Sequence, residues 1–187
     1  MAALSELHLV KEHLLQFFSG HDWAEFQFSD GPLIKIAPWL KILRFAPGPQ
    51  SSLWTYVTLG ACTLREEENG IEFSVFVQDE SPRFIELLTM TAYYHRNNLL
   101  GIGHTVPLGE SWVDGSMCNC SLISLPYPLG AEFEICNTRT NHIHILWVLP
   151  ITEKERDFKI KHGLEEMESK FESVALEYWN FKRASVV

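Results

Sequence analysis

The chain has 187 residues, enough for one domain with a substantial core and too few for two comfortable ones. Apolar residues make up 46% and charged residues 21%, which excludes a disordered chain, and the 12% of aromatics predicts several buried aromatic clusters. A formal net charge of −9 with no Lys/Arg stripe repels phosphate backbones, so no nucleic-acid partner is expected, while a basic partner is favoured by long-range attraction.

The opening MAALSELHLV has neither a basic lead nor a long apolar run, so no signal peptide is expected. No stretch approaches the ~20 apolar residues that span a bilayer. Cys62, Cys118, Cys120 and Cys136 are therefore expected as reduced thiols of a cytoplasmic protein.

Leu7, Val10, Leu14 and Phe17 follow the i, i+3, i+7, i+10 spacing and predict an amphipathic helix over 4–18, ended near Gly20. Strand-like runs follow at 39–45, 53–64 and 71–78, which together predict a meander. The last two flank Arg65-Glu66-Glu67-Glu68-Asn69-Gly70, where Asn-Gly suits a hairpin turn because both residues tolerate positive φ. The run Glu66, Glu67, Glu68 at its tip reads as a solvated turn or as a contact for a basic partner.

Ser81 and Pro82 mark the start of a helix, with Phe84, Leu88 and Thr91 on one face and His95 and Arg96 near its negative end. The later segments CSLISLPYPLG, AEFEIC and HIHILWVLP read as strands broken by Pro126, Pro128, Gly130 and Pro150. In the last, His142 and His144 share one strand face and Ile143, Ile145 and Trp147 the other. Thr152 and Glu155 form a capping box that opens a helical region. Glu155–Lys159 and Asp157–Lys161 are spaced as i, i+4 pairs on a solvated face. Gly163 interrupts that helix, and Leu164, Met167 and Phe171 restart the pattern. The sum is one α+β domain over residues 1–187, a mixed or antiparallel sheet with flanking helices.

The stretch GHTVPLGESWVDGSMCNC at 103–120 concentrates reactive side chains. Gly109-Glu110-Ser111 begins like a nucleophile elbow, but Val113 stands where the second glycine belongs. Ser111, Asp114 and His142 follow a triad order in sequence only. Cys118 and Cys120 are one residue apart, whereas zinc knuckles favour a two-residue gap, and no second pair completes a site with His142 and His144. No helix start precedes Cys118 or Cys120 to activate a thiol toward His104. No catalytic residue, metal or cofactor is expected. The glycines at 101, 103, 109 and 115 permit tight turns that display or lock His104, Trp112 and Asp114. In Leu125-Pro126-Tyr127-Pro128-Leu129-Gly130, two prolines that cannot donate to a ladder place Tyr127 at an edge or turn, partly exposed.

The segments GHTVPLGESWVDGS, LISLPYPLG, HILWVLPITEKERDFKIKHGLEEMESKFE and the terminal SVV, with WLKILRFAPG and LWTYVTLGAC, resemble the short bacterial members of the suppressor of fused family. The resemblance runs from about Trp39 to Val187. It implies a mixed α/β sandwich-like domain without enzymatic activity that works by binding protein. Larger animal relatives bind and restrain zinc-finger transcription factors of Hedgehog signalling, and some bacterial relatives are regarded as immunity proteins against toxins. The chain has no room for the second domain of the animal form, so the residues of the animal peptide cleft are not carried over. The expected function is a cytoplasmic protein-binding module whose partner is a basic toxin. His104, Trp112, Asp114, Tyr127, Glu66, Glu67 and Glu68 are its candidate contacts. A hydrolase or thiol enzyme built on the 103–120 loop and a homodimeric structural protein are the competing readings.

Overall fold

The computed structural model describes residues 2–27, 33–65, 70–138 and 142–187. In chain order the elements are α1 (Ala2–Phe17), β1 (Trp23–Phe26), α2 (Leu33–Ile36), β2 (Lys41–Phe45), β3 (Trp54–Leu59), a 3₁₀ turn (Ala61–Thr63), β4 (Gly70–Val77) and α3 (Arg83–Asn97). There follow β5 (Thr105–Pro107), β6 (Cys118–Ser124), α4 (Ala131–Glu134), β7 (Ile135–Asn137), β8 (His142–Thr152), α5 (Glu153–His162) and α6 (Leu164–Ser173). The strands form one mixed sheet in the order β1-β2-β3-β4-β8-β6-β5, with β7 also pairing β8. By compactness the chain divides into a first unit, residues 1–100 with 125–147, and a second, residues 101–124 with 148–187.

The first unit begins as the expected meander. β2 pairs antiparallel with β3, from Lys41↔Leu59 to Phe45↔Thr55, and β3 pairs antiparallel with β4, from Trp54↔Val77 to Val57↔Ser74. The turn residues 66–69, with the expected Asn69-Gly70 hairpin and the Glu66–Glu68 run, lie largely outside the described residues. β4 and β8 run parallel, Gly70 opposite Ile143, and a parallel pair needs the long crossover that residues 78–141 provide.

Helices cover both faces of this sheet. From α1, Val10 and Leu14 are fully buried, and the following Phe18 stacks on Phe45 at 4.3 Å. The neighbouring Arg44 points to the opposite face, because side chains alternate along a strand. It sits across from Tyr56, whose ring meets Phe84 of α3 at 5.5 Å. The 53–64 run ends as a strand at Leu59 because the 3₁₀ turn turns its N–H groups onto Glu72. That carboxylate is wholly buried and accepts from Gly60, Ala61 and Cys62 amides at 2.8, 3.1 and 3.3 Å and from the Thr58 hydroxyl at 2.5 Å. Burial pushes the Glu72 carboxyl upward, against the pull of those donors.

Three sequence expectations change. Trp23–Phe26 forms an additional edge strand against β2, stapled by Glu25 to both Lys11 and Lys41. AEFEIC is not one strand: Ala131–Glu134 is a helical turn opened by Gly130, and only Ile135–Asn137 pairs with β8. Phe133 explains the difference, since it is fully buried against Phe17, Phe18 and Phe76, and one turn of helix delivers it there. The third concerns Glu155, which does not sit on a solvated face with Lys159. It is fully buried and pairs with Arg183, while Lys159 donates to the Gly103 carbonyl and Asp157 pairs with Arg156.

In the second unit β5 pairs antiparallel with β6, and residues 148–152 of β8 carry straight into the capping box of α5. Thr152 accepts from the Glu155 amide at 3.2 Å while the Glu155 carboxylate accepts from the Thr152 amide at 2.8 Å. Gly163 separates α5 from α6, and Met167 and Phe171 of α6 are buried as their spacing predicts. No helix among the described residues is long and apolar enough to cross a membrane.

Candidate protein-interaction surfaces

The loop at 101–117 is built around one buried ring. Trp112 is only 1% exposed, its indole N–H donates to the Cys120 carbonyl at 2.9 Å, and its ring lies 5.6 Å from Phe181. Around it, the Trp112 amide donates to the Cys118 carbonyl, and Ser116 Oγ accepts from the Cys118 amide at 2.9 Å and donates to the Phe181 carbonyl. Trp112 therefore leaves the set of candidate contacts. It is locked in place, because a hydrophobic ring with a satisfied N–H is more stable inside than displayed. Of the loop glycines, Gly103, Gly109 and Gly115 take positive φ and Gly101 does not.

The neighbouring polar residues do stay at the surface. His104 is exposed, with Nδ1 accepting from the Gly101 amide at 3.1 Å, and Asp114 is exposed. In the first unit Tyr127 is 60% exposed at the turn made by Pro126, whose carbonyl accepts from Leu129 and Gly130.

The chemistry that this stretch suggests is taken up by structure. Ser111 Oγ donates to the Ser116 carbonyl at 2.8 Å, not to a histidine. Cys118 and Cys120 are buried in β6, and burial pushes both thiols above the ordinary range despite the Arg183 and Arg156 charges near them. His142 and His144 share a half-buried face of β8 in the first unit, their rings 4.7 Å apart, and His144 Nδ1 lies 3.0 Å from Glu134. Their opposite-face neighbours Ile143 and Ile145 are core, as the alternation predicts. Among the described residues no three His, Cys, Asp or Glu side chains converge as a metal site.

A further exposed face with aromatic side chains belongs to α3, and sequence reasoning passed over it. Phe84, Leu87, Leu88, Thr91, Ala92 and His95 are buried. Met90, Tyr93 and Tyr94 stand at i, i+3, i+4 on the other side, 44%, 37% and 40% exposed. The spacing was legible: three large apolar residues recur on the helix face turned away from the Phe84–Leu88 stripe.

The family model described as suppressor of fused protein matches residues 37–184. Among solved structures, a suppressor of fused homologue from Neisseria gonorrhoeae FA 1090 is 32% identical, with a TM-score of 0.85 and 98% of each chain covered. A chain of the Sufu-Fu complex crystal structure is 14% identical, with a TM-score of 0.70, covering 96% of this chain and 91% of that one. Drosophila Suppressor of Fused is 13% identical, with a TM-score of 0.62, covering 95% of this chain and 50% of that one. At these two identities the likeness is one of fold. No curated protein matches the sequence.

Proposed function

The chain belongs to the suppressor of fused protein family, and from that premise we propose that it is a non-enzymatic module that binds a basic protein partner through the exposed face of α3. The observation that carries this reading is the row Met90, Tyr93 and Tyr94. Tyrosine and methionine are enriched where proteins meet, tyrosine because it offers large contact area at low entropic cost and methionine because its flexible, polarizable thioether adapts to the partner. The net charge of −9 sets the sign of the partner: a basic protein is drawn in by the long-range field, and an acidic one is repelled. The fold relative seen in the Sufu-Fu complex is itself a partner-bound chain.

A basic toxin neutralised by this chain as its immunity protein satisfies these requirements, with Tyr127 of the same unit as a further contact in that reading. Capture of the chain at its native level tests it. One stoichiometric partner with an excess of Lys and Arg is expected, with an affinity that falls steeply between 50 and about 300 mM salt. A homodimer as the sole assembly, or an acidic partner, contradicts the proposal.

A further inference from the structure

A groove of about 800 Å³ in the first unit takes no part in the function proposed above. Its lining comes from α1, the β2–β3 connection, α4 and β7, and is apolar at Phe17, Ala131 and Ile135. Phe17 is held from behind by Phe18 and Phe133, with ring centroids 5.0 and 5.3 Å away, so this surface is preformed.

The polar lining is unusual in its uniformity. Gln16, Gln50 and Asn137 bring a carboxamide each from three separate elements, although Gln50 Oε1 already lies 2.9 Å from His21 Nε2, so Gln50 offers a ligand its N–H donors only. A carboxamide offers an acceptor oxygen and an N–H donor, the same complement as a peptide unit, so such side chains read a main chain without regard to its sequence. His13 is fixed at the groove wall, its Nε2 donating to the Phe133 carbonyl at 3.0 Å. Glu132 is exposed at the groove and forms no ion pair among the described residues. Ile135 and Asn137 are two apart on β7, about 7 Å, which is the side-chain repeat of another extended chain.

We propose that this groove binds an extended peptide segment of a protein partner, held through its main chain by Gln16, Gln50 and Asn137, with one Lys or Arg directed at Glu132. The volume falls in the range of preformed ligand sites and suits a segment of a few residues. The inference rests on the protein-binding reading for the class of partner but uses none of the α3 residues, so the two fail independently.

A phage-displayed library of random dodecapeptides, panned against the whole chain, is the probe. Enrichment of sequences sharing a single basic position is expected. Fluorescence polarisation with the enriched peptides should then show a loss of tenfold or more in Glu132→Lys. A similar loss is expected in Ala131→Trp, which fills the groove, with the melting temperature of each variant recorded as a folding control. Asn137→Leu should weaken every enriched peptide alike, as main-chain reading requires, and Tyr94→Asp on α3 should leave binding unchanged. No enrichment, enrichment of acidic sequences, or peptides that bind Glu132→Lys and Ala131→Trp as tightly as the native chain would overturn the proposal.

Discussion

Arg183 grips Glu155 with both arms of its guanidinium group: Nη1 stands 2.5 Å from Oε1 and Nη2 2.9 Å from Oε2. The carboxylate is wholly buried and also accepts from the amides of Thr152 at 2.8 Å and Val186 at 3.0 Å. Nη2 and Nη1 also donate to the Pro150 and Ala184 carbonyls, so the pair ties residues 183–187 to the start of α5. Removing one partner leaves an uncompensated buried charge, so Arg183→Met should cost about 3–5 kcal/mol in urea unfolding. Adding Glu155→Gln should restore more than half of that loss, because the amide keeps the capping bond to Thr152 without the charge. A double variant less stable than Arg183→Met alone contradicts this account.

Trp112 is buried, so its substitution is expected to act on stability and not on recognition. Trp112→Ala should cost about 3–5 kcal/mol from the lost ring. Trp112→Phe should cost about 1–3 kcal/mol, chiefly from leaving the buried Cys120 carbonyl without its donor. Both should bind the partner with native affinity once corrected for the folded fraction. A Trp112→Phe chain that keeps its stability but loses its partner would return Trp112 to the contact surface.

The thiols give a pH test. Burial pushes the Cys136 thiol up to about 11, with the Glu72 charge adding to it, and Cys62 is raised further still by the same two causes. A raised pKa in the folded chain means that the unfolded chain ionises first. Stability from this source is complete below about pH 8.5, the range of a free thiol, and is lost as pH climbs from there through 11. Unfolding free energy should therefore fall between pH 8.5 and 11, and less so in Cys136→Ala. At pH 8 a disulfide reagent such as Ellman's reagent should modify the folded chain at least a hundredfold more slowly than the chain in urea. One thiol as reactive folded as unfolded would revive the thiol-enzyme reading.

Elements whose order is written locally were legible in the sequence. The β2–β3–β4 meander, the alternation of His142 and His144 with Ile143 and Ile145, and the Thr152–Glu155 capping box all follow from period, turn chemistry and cap spacing. What escaped was decided by partners distant in sequence. Spacing offers Glu155 the lysine at i+4, but only the fold supplies a guanidinium with two aligned donors. Trp112 lies in a stretch without periodicity, and its burial depends on Phe181 and the Cys120 carbonyl. A-E-F-E alternates like a strand, yet the aromatic cluster around Phe133 makes it a turn of helix. The outward row on α3 carried its own signal, and reading that helix from its buried stripe alone passes over it.

Hydrogen–deuterium exchange of the captured complex, compared with the free chain and repeated with Met90→Asp and Tyr94→Asp variants, tests the central claim most directly. The account predicts slowed exchange along α3 when the partner is bound. It also predicts variants within about 0.5 kcal/mol of native stability, since the residues are exposed, yet at least tenfold weaker in binding. Unchanged exchange along α3, together with native affinity in both variants, would contradict it.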